Sequence, residues 1–363
     1  MADGRADALP EGTQLNVYTL GAVLGAGGFG ITYRATEQFT DRLVAIKEFL
    51  PSAMAQRAPD GVSVRPLSRG SFDFAWGLER FRLEARTLIA LKHKNVVPVL
   101  QYFEANGTGY LVMEYQSGAT LGARLRGALH LGEAELRRIL DPLLDALEAV
   151  HAKGFLHRDI KPDNIFLRED GTPLLLDFGA ARQAVGGKSQ TLSAVVSEGY
   201  APYEQYESGS AQGPWSDIYA LGCTLYRCMT GMKPSSAPKR ANAALEHQPD
   251  PLKPLLAAAR ESYAPQLINA VELAMRTAAG ERPQSIAAFR ALLAPARDDP
   301  ADSEYGRQER LRRERQKTVK RREPPTCPPQ DRPPVRRGRP LIAAAGTLAL
   351  LGLAGYFGYA WYE

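Results

Sequence analysis

The run His157-Arg158-Asp159-Ile160-Lys161-Pro162-Asp163-Asn164, followed at a short interval by Asp177-Phe178-Gly179, gathers two carboxylates, an amide and a lysine on two nearby loops. A fold for this chain has to bring those loops to one place. The residue types suit moving a phosphoryl group from a metal-bound nucleotide to a hydroxyl. Asp159 can accept the hydroxyl's proton, Lys161 can balance charge on the group in flight, and Asn164 and Asp177 are hard oxygen ligands of the kind Mg2+ prefers.

With 363 residues, 44% hydrophobic and 23% charged, the chain is long enough for two lobes with substantial cores, and disorder cannot dominate it. The net charge of +5 is unevenly spread: residues 297–339 hold 14 Lys/Arg against 8 Asp/Glu, which leaves the remainder near −1. A basic nucleic-acid surface on the folded part is thereby excluded. Cys223, Cys228 and Cys327 form neither a metal-ligand pattern nor an even disulfide framework, which implies a reducing, cytosolic setting. Residues 1–12 carry charges and no apolar run, so no export signal is expected.

Along the chain, residues 1–15 read as a flexible N-terminal segment. Alternating β-branched and aromatic residues over 18–36 and 43–49 predict strands, broken by the cluster Gly25-Ala26-Gly27-Gly28-Phe29-Gly30. Phe74, Leu78, Phe81, Ala85 and Leu88 recur at helical spacing, and 96–103 and 110–115 return to strand character. Helices then dominate, over 136–151, 217–230, 265–278 and 285–293. Between Lys47 and Glu84 lies a long stretch containing Pro51, Pro59-Asp60-Gly61 and Ser68-Arg69-Gly70. It reads as a surface insertion, with a regulatory element acting on the following helix as the alternative.

Past Ala294 the composition shifts. Residues 296–340 are rich in arginine and proline and cannot bury a core, so a disordered linker is expected. Its basic residues suit anionic lipid headgroups, while the interleaved Glu309, Glu314 and Glu323 equally suit a solvated charged helix. Residues 341–362 are almost wholly apolar, long enough to cross a bilayer as one helix, with aromatic residues at the far end. Ala354 and Gly358 would let a second such helix approach closely, a route to a homodimer. The arginines before this helix orient the folded part to the cytoplasm, at the cell inner membrane in a single pass.

Read together, these motifs resemble the eukaryotic-type (Hanks-type) serine/threonine protein kinases, in the bacterial form with a C-terminal transmembrane helix, from about Tyr18 to about Leu293. The resemblance implies an α+β, two-lobed kinase domain over 16–295, with a small β-rich lobe to about 115 and a large helical lobe from about 116. It further implies ATP and Mg2+, with Mn2+ as a substitute, and protein substrates with serine or threonine acceptors, since Lys161 follows Asp159.

Carried over residue by residue, Gly25, Gly27, Gly28 and Gly30 would form the flap over the phosphates, and Lys47 of Val44-Ala45-Ile46-Lys47 would contact them. Glu84 would hold Lys47, with Glu79 as its rival. Thr32, Ala45, Met113 and Phe166 would line the base pocket, and Glu114 to Gln116 would be the hinge. Asp159 and Lys161 would be catalytic, Asn164 and Asp177 the metal ligands. Asp217 would anchor the catalytic-loop backbone, Ser197 would face Lys161, and Glu204 of Ala201-Pro202-Tyr203-Glu204 would pair with Arg282. Arg158 would await a phosphate on Ser189, Thr191 or Ser193, placed there by autophosphorylation. Departures from the pattern are Thr32 for valine, Val196 for glycine and Tyr203 for proline. Two competing readings are a catalytically silent scaffold of the same fold and a small-molecule phosphotransferase.

Overall fold

The computed structural model describes residues 7–67, 71–128, 130–178, 196–207, 209–255 and 262–294. They form two lobes, as the resemblance implies.

The small lobe is built on a six-stranded antiparallel sheet in the order β1-β2-β3-β4-β8-β7. Its strands are β1 (Gln14–Leu15), β2 (Tyr18–Gly27), β3 (Gly30–Glu37), β4 (Leu43–Phe49), β7 (Val99–Ala105) and β8 (Thr108–Glu114). Because side chains alternate across a strand, β4 sends Val44, Ile46 and Glu48 to one face and Ala45, Lys47 and Phe49 to the other. On the second face α1 (Ser71–Ala90) packs its stripe of Phe74, Phe81, Ala85 and Leu88, with Phe49 at 5.5 Å from Phe74 and 5.3 Å from Phe81 between ring centroids. Burying such rings is worth about 1.5–3 kcal/mol each. That packing positions Glu84, one turn before Leu88.

The first face is covered too. Residues 7–15, expected to be flexible, bury Leu9 and Leu15, and β1 pairs Leu15 with Tyr18. The stretch after β4 is likewise no loose excursion: β5 (Ala55–Arg57) and β6 (Val64–Pro66) form a hairpin that buries Met54, Ala55 and Val64. The polar sequence around Pro59-Asp60-Gly61 is only its turn, where Asp60 Oδ1 accepts the N–H groups of Val62 and Ser63. The sheet therefore has a layer on both sides, which burial of an otherwise apolar face requires.

In the large lobe, α2 (Leu121–Arg126) and α3 (Glu133–Ala152) lie in sequence between the first strand, β9 (Gly118–Thr120), and the other two, β10 (Ile165–Arg168) and β11 (Pro173–Leu175), of a short three-stranded sheet in the order β11-β10-β9. The central α4 (Pro214–Thr230) is buried nearly all round, as its apolar sequence predicts. Gly222 lets it approach α6 (Pro265–Ala274), since a Cβ there would lie 2.9 Å from that of Ala274. Cys223 and Cys228 lie buried within it, and burial pushes both thiols up to about 12. Helices α5 (Ala237–Leu245) and α7 (Ile286–Leu293) also belong to this lobe. The helix expected over 265–278 stops at Ala274, giving way to a 3-10 turn at Ala279–Glu281. Among the described residues no helix is long and apolar enough to cross a membrane. Residues 296–340 and 341–362, with the linker and membrane-helix expectations they carry, lie outside the described residues.

Candidate functional site

Asp217, at the start of α4, fixes the geometry of the loop that follows α3. Its Oδ2 accepts the His157 backbone N–H and lies 2.8 Å from His151 Nε2, while Oδ1 accepts the Arg158 N–H at 2.7 Å. Burial alone would push this carboxyl up, but the His151 bond and the surrounding donors outweigh it and hold the value below the usual carboxylate range. The restraint matters because Arg158 sits at φ 64°, a left-handed conformation that a side-chain-bearing residue adopts only when its surroundings impose it. Asp177, on the facing loop, is also left-handed at φ 43°.

The two loops are tied to each other. His157 is fully buried, which pushes its imidazole down toward the neutral form. Its Nε2 faces the Leu176 carbonyl at 2.8 Å and its Nδ1 faces the Asp159 N–H, so the neutral ring donates to the first and accepts from the second. Leu176 N–H in turn donates to Asn164 O at 2.9 Å, and Phe178 packs on His157 at 4.5 Å. Asp177 is thereby held against the Pro162–Asn164 turn.

Within this frame Asp159 is nearly inaccessible and well supplied with donors. Ser197 Oγ donates to its Oδ1 at 2.6 Å, Asn164 Nδ2 donates to its Oδ2 and backbone oxygen, and Lys161 Nζ lies 3.2 Å from Oδ2 and donates to Ser197 Oγ at 3.0 Å. With its amide hydrogens so used, Asn164 has Oδ1 as the atom suited to a cation, and Asp177 is the carboxylate nearest in chemistry. Lys47 reaches across from β4 to Asp177 Oδ1 at 2.9 Å.

Glu84 is buried and borders the same small cavity as Lys47, Asp159 and Asp177. Among the described residues, however, Lys47 makes its ion pair with Asp177 rather than with Glu84. The rival Glu79 is turned outward to Arg82. Glu204 and Arg282 form the expected buried pair, at 2.7 Å, with Ser216 Oγ also donating to Glu204.

Between the lobes lies a cleft of about 370 Å³. Gly25, Thr32 and Ala45 line its small-lobe side, Met113, Glu114 and Gln116 its back, and Phe166 its large-lobe side. The hinge side chains are engaged elsewhere, Glu114 with Arg42 at 3.1 Å and Gln116 with Arg168 at 2.8 Å. Gly27, Gly28 and Gly30 do not line the cleft: Gly27 ends β2 paired with Gly30, Gly28 begins the two-residue β2–β3 turn, and Gly30 is pressed against the backbone of Glu48. Leu24, Val97 and Leu176 are further apolar walls of the cleft, without a motif in the sequence to set them apart from ordinary core. Gly179, Ser189, Thr191 and Ser193 lie outside the described residues.

Comparison with known proteins agrees with this architecture. The family model described as the protein kinase domain matches residues 18–269. Serine/threonine-protein kinase PknA of Nostoc sp. is 36% identical over 230 residues, covering 60% of this chain and 38% of that protein. Serine/threonine-protein kinase PknD of Mycobacterium tuberculosis is 34% identical over 248 residues, covering 68% of this chain and 34% of its own length. The chain thus spans well under half the length of these relatives. Among solved structures, the apo form of PpkA-294 superposes with a TM-score of 0.71 at 37% identity, covering 80% of this chain and 100% of that one. The Mycobacterium tuberculosis PknI kinase domain, at 24% identity and a TM-score of 0.58 over 79% of this chain and 98% of its own, shares the fold.

Proposed function

Because this chain belongs to the protein kinase family, we propose that it is a serine/threonine protein kinase that transfers the γ-phosphoryl group of ATP to protein hydroxyls. The observation that carries this reading is the arrangement around Asp159. A carboxylate that already accepts a hydroxyl hydrogen bond from Ser197, with Lys161 bridging the two, is set up to orient a substrate hydroxyl in the same way.

The adenine would occupy the cleft behind Thr32 and Ala45, against the hinge backbone. Lys47 would contact the phosphates, which requires it to leave or share Asp177. Asn164 Oδ1 and Asp177 would hold Mg2+ or Mn2+, which when bound supplies positive charge against the phosphate oxygens. Lys161 would balance charge developing between Asp159 and the acceptor. Little covalent work falls to the protein, so positioning and electrostatics would supply the acceleration.

Finer readings rest on the sequence. Arg158 would bind a phosphate placed by autophosphorylation on Ser189, Thr191 or Ser193. The apolar residues 341–362 would anchor the kinase at the inner membrane with its lobes in the cytoplasm, where it would signal, with the basic segment before them on anionic lipid and with small residues allowing a homodimer.

Transfer of labelled phosphate from ATP to a generic basic protein tests the activity, with Asp159→Asn expected to lose it by at least about a thousandfold while keeping its fold. Nucleotide binding without transfer would favour a silent scaffold. Transfer to small metabolites but not to protein would favour the small-molecule reading.

A further inference from the structure

The stretch after β4 is fastened to the small-lobe sheet at two places. At its base the β3–β4 ladder continues past the Gly30–Phe49 pair: Leu50 N–H donates to Phe29 O at 3.1 Å and Ser52 N–H to Gly28 O at 3.0 Å. These bonds hold the tip of the glycine turn. Gly30 itself lies so close to β4 that a Cβ would come within 1.9 Å of the Glu48 carbonyl oxygen. The tip of the β2–β3 hairpin is therefore pinned from outside the cleft.

Farther along, Arg57 of β5 lies over the sheet face opposite the cleft and uses all its N–H groups. Nη1 donates to Glu48 Oε1 and to Val62 O, both at 2.7 Å. Nη2 donates to Glu48 Oε2 at 2.6 Å and to Asp7 O at 2.8 Å, and Nε donates to Asp7 O at 3.0 Å. Glu48 is fully buried and takes two more hydrogen bonds, from the hydroxyls of Tyr33 and Tyr110, each at 2.9 Å. Tyr33 also accepts the Leu9 N–H at 3.0 Å. One guanidinium thus joins the N-terminal segment, the hairpin and β4.

A buried ion pair of this kind is about as stable as well-packed apolar residues of the same volume, so stability alone does not account for it. What it supplies is a fixed place for Glu48. That residue adjoins Lys47 in the same strand, on the opposite face, so anchoring one fixes the other.

We propose that Arg57 is a positioning residue for the nucleotide phosphates. Through Glu48 it sets Lys47, and through the stretch it anchors it steadies the Leu50 and Ser52 bonds to the glycine turn. The inference rests on the kinase reading of the cleft. Because Lys47 and the turn grip the nucleotide both before and during transfer, loosening them weakens ATP binding more than it slows the bound complex.

The test is steady-state kinetics of the full chain carrying Arg57→Met or Arg57→Lys, with circular dichroism confirming the fold. Expected are a KM for ATP raised roughly tenfold in Arg57→Met and about threefold in Arg57→Lys, with kcat within about twofold and the KM for the protein substrate unchanged. A merely structural role would lower the folded fraction, hence kcat, at constant KM. That result, or unchanged kinetics in folded variants, overturns the proposal. Should Arg57→Met fail to fold, Arg57→Lys decides by the same criterion. If the wild-type chain transfers no phosphate, the kinase reading fails by itself, and titration with ATP and Mg2+ replaces KM. Weakening of the same size then supports Arg57, and equal affinity overturns it.

Discussion

Replacing Asp217 by asparagine isolates the restraint on the catalytic loop, because the side chain keeps its shape and loses only its charge and one acceptor atom. Its two oxygens serve three donors, His157 N–H and His151 on Oδ2 and Arg158 N–H on Oδ1. The better orientation for asparagine puts its oxygen on the first pair. Its amide hydrogens then face the Arg158 N–H, leaving a buried donor unsatisfied at a cost of about 1–3 kcal/mol. Two charge-assisted bonds become neutral ones, adding about 1 kcal/mol. A total near 3 kcal/mol leaves a domain of ordinary stability folded but easier to unfold.

The bond that is lost is the one holding Arg158 at φ 64°, so the next residue, Asp159, should drift. A displacement of about 1 Å at a reacting group costs on the order of a hundredfold in rate. Urea unfolding should therefore show a lower midpoint at unchanged m-value, and phosphate transfer should show a kcat reduced far beyond the unfolded fraction. The pH dependence supplies a sign. Because the folded carboxyl titrates below its unfolded value of about 4, its contribution is complete above that pH and is lost as pH falls through the folded value. Wild type should lose this increment in acid, and Asp217→Asn should have none to lose. Stability within about 0.5 kcal/mol of wild type together with full kcat would refute the reasoning.

Arg282→Met should cost about 3–5 kcal/mol in urea unfolding, since it strands the buried Glu204 carboxylate that Arg282 and Ser216 now satisfy. Adding Glu204→Gln to it should recover part of that loss, and a second change that cost as much again would argue against a stranded charge. Truncation after Ala296 should yield a soluble fragment that keeps wild-type transfer to a generic protein while the full chain partitions with membranes. An insoluble or inactive fragment would make the later residues part of the folded domain.

Much of the site was legible because its residues come in short fixed spacings. Lys47 falls on the cleft face of β4 because strand alternation puts it there with Ala45, and Asp159, Asn164 and Asp177 belong to loops whose polar clusters interrupt apolar runs. The layer over the other face was not legible. β5 and β6 are three residues each, too short for periodicity to register, and are separated by proline, aspartate and glycine that read as loop. Glu48 and Arg57 look like surface charges until the fold sets them together. Leu9 and Leu15, amid charged and turn-forming residues, gave no sign of burial. The Lys47 ion pair was also out of reach, because Asp177 and Glu84 both border its cavity and spacing does not choose between two carboxylates.

The two thiols inside α4 turn this helix into its own reporter. A group whose titration is pushed to about 12 offers almost no thiolate at neutral pH, and its burial keeps alkylating reagents away from what little forms. Labelling of Cys223 or Cys228 therefore has to wait for the helix to open. With Cys327 replaced, the labelling rate at increasing reagent would count openings of the large lobe's centre.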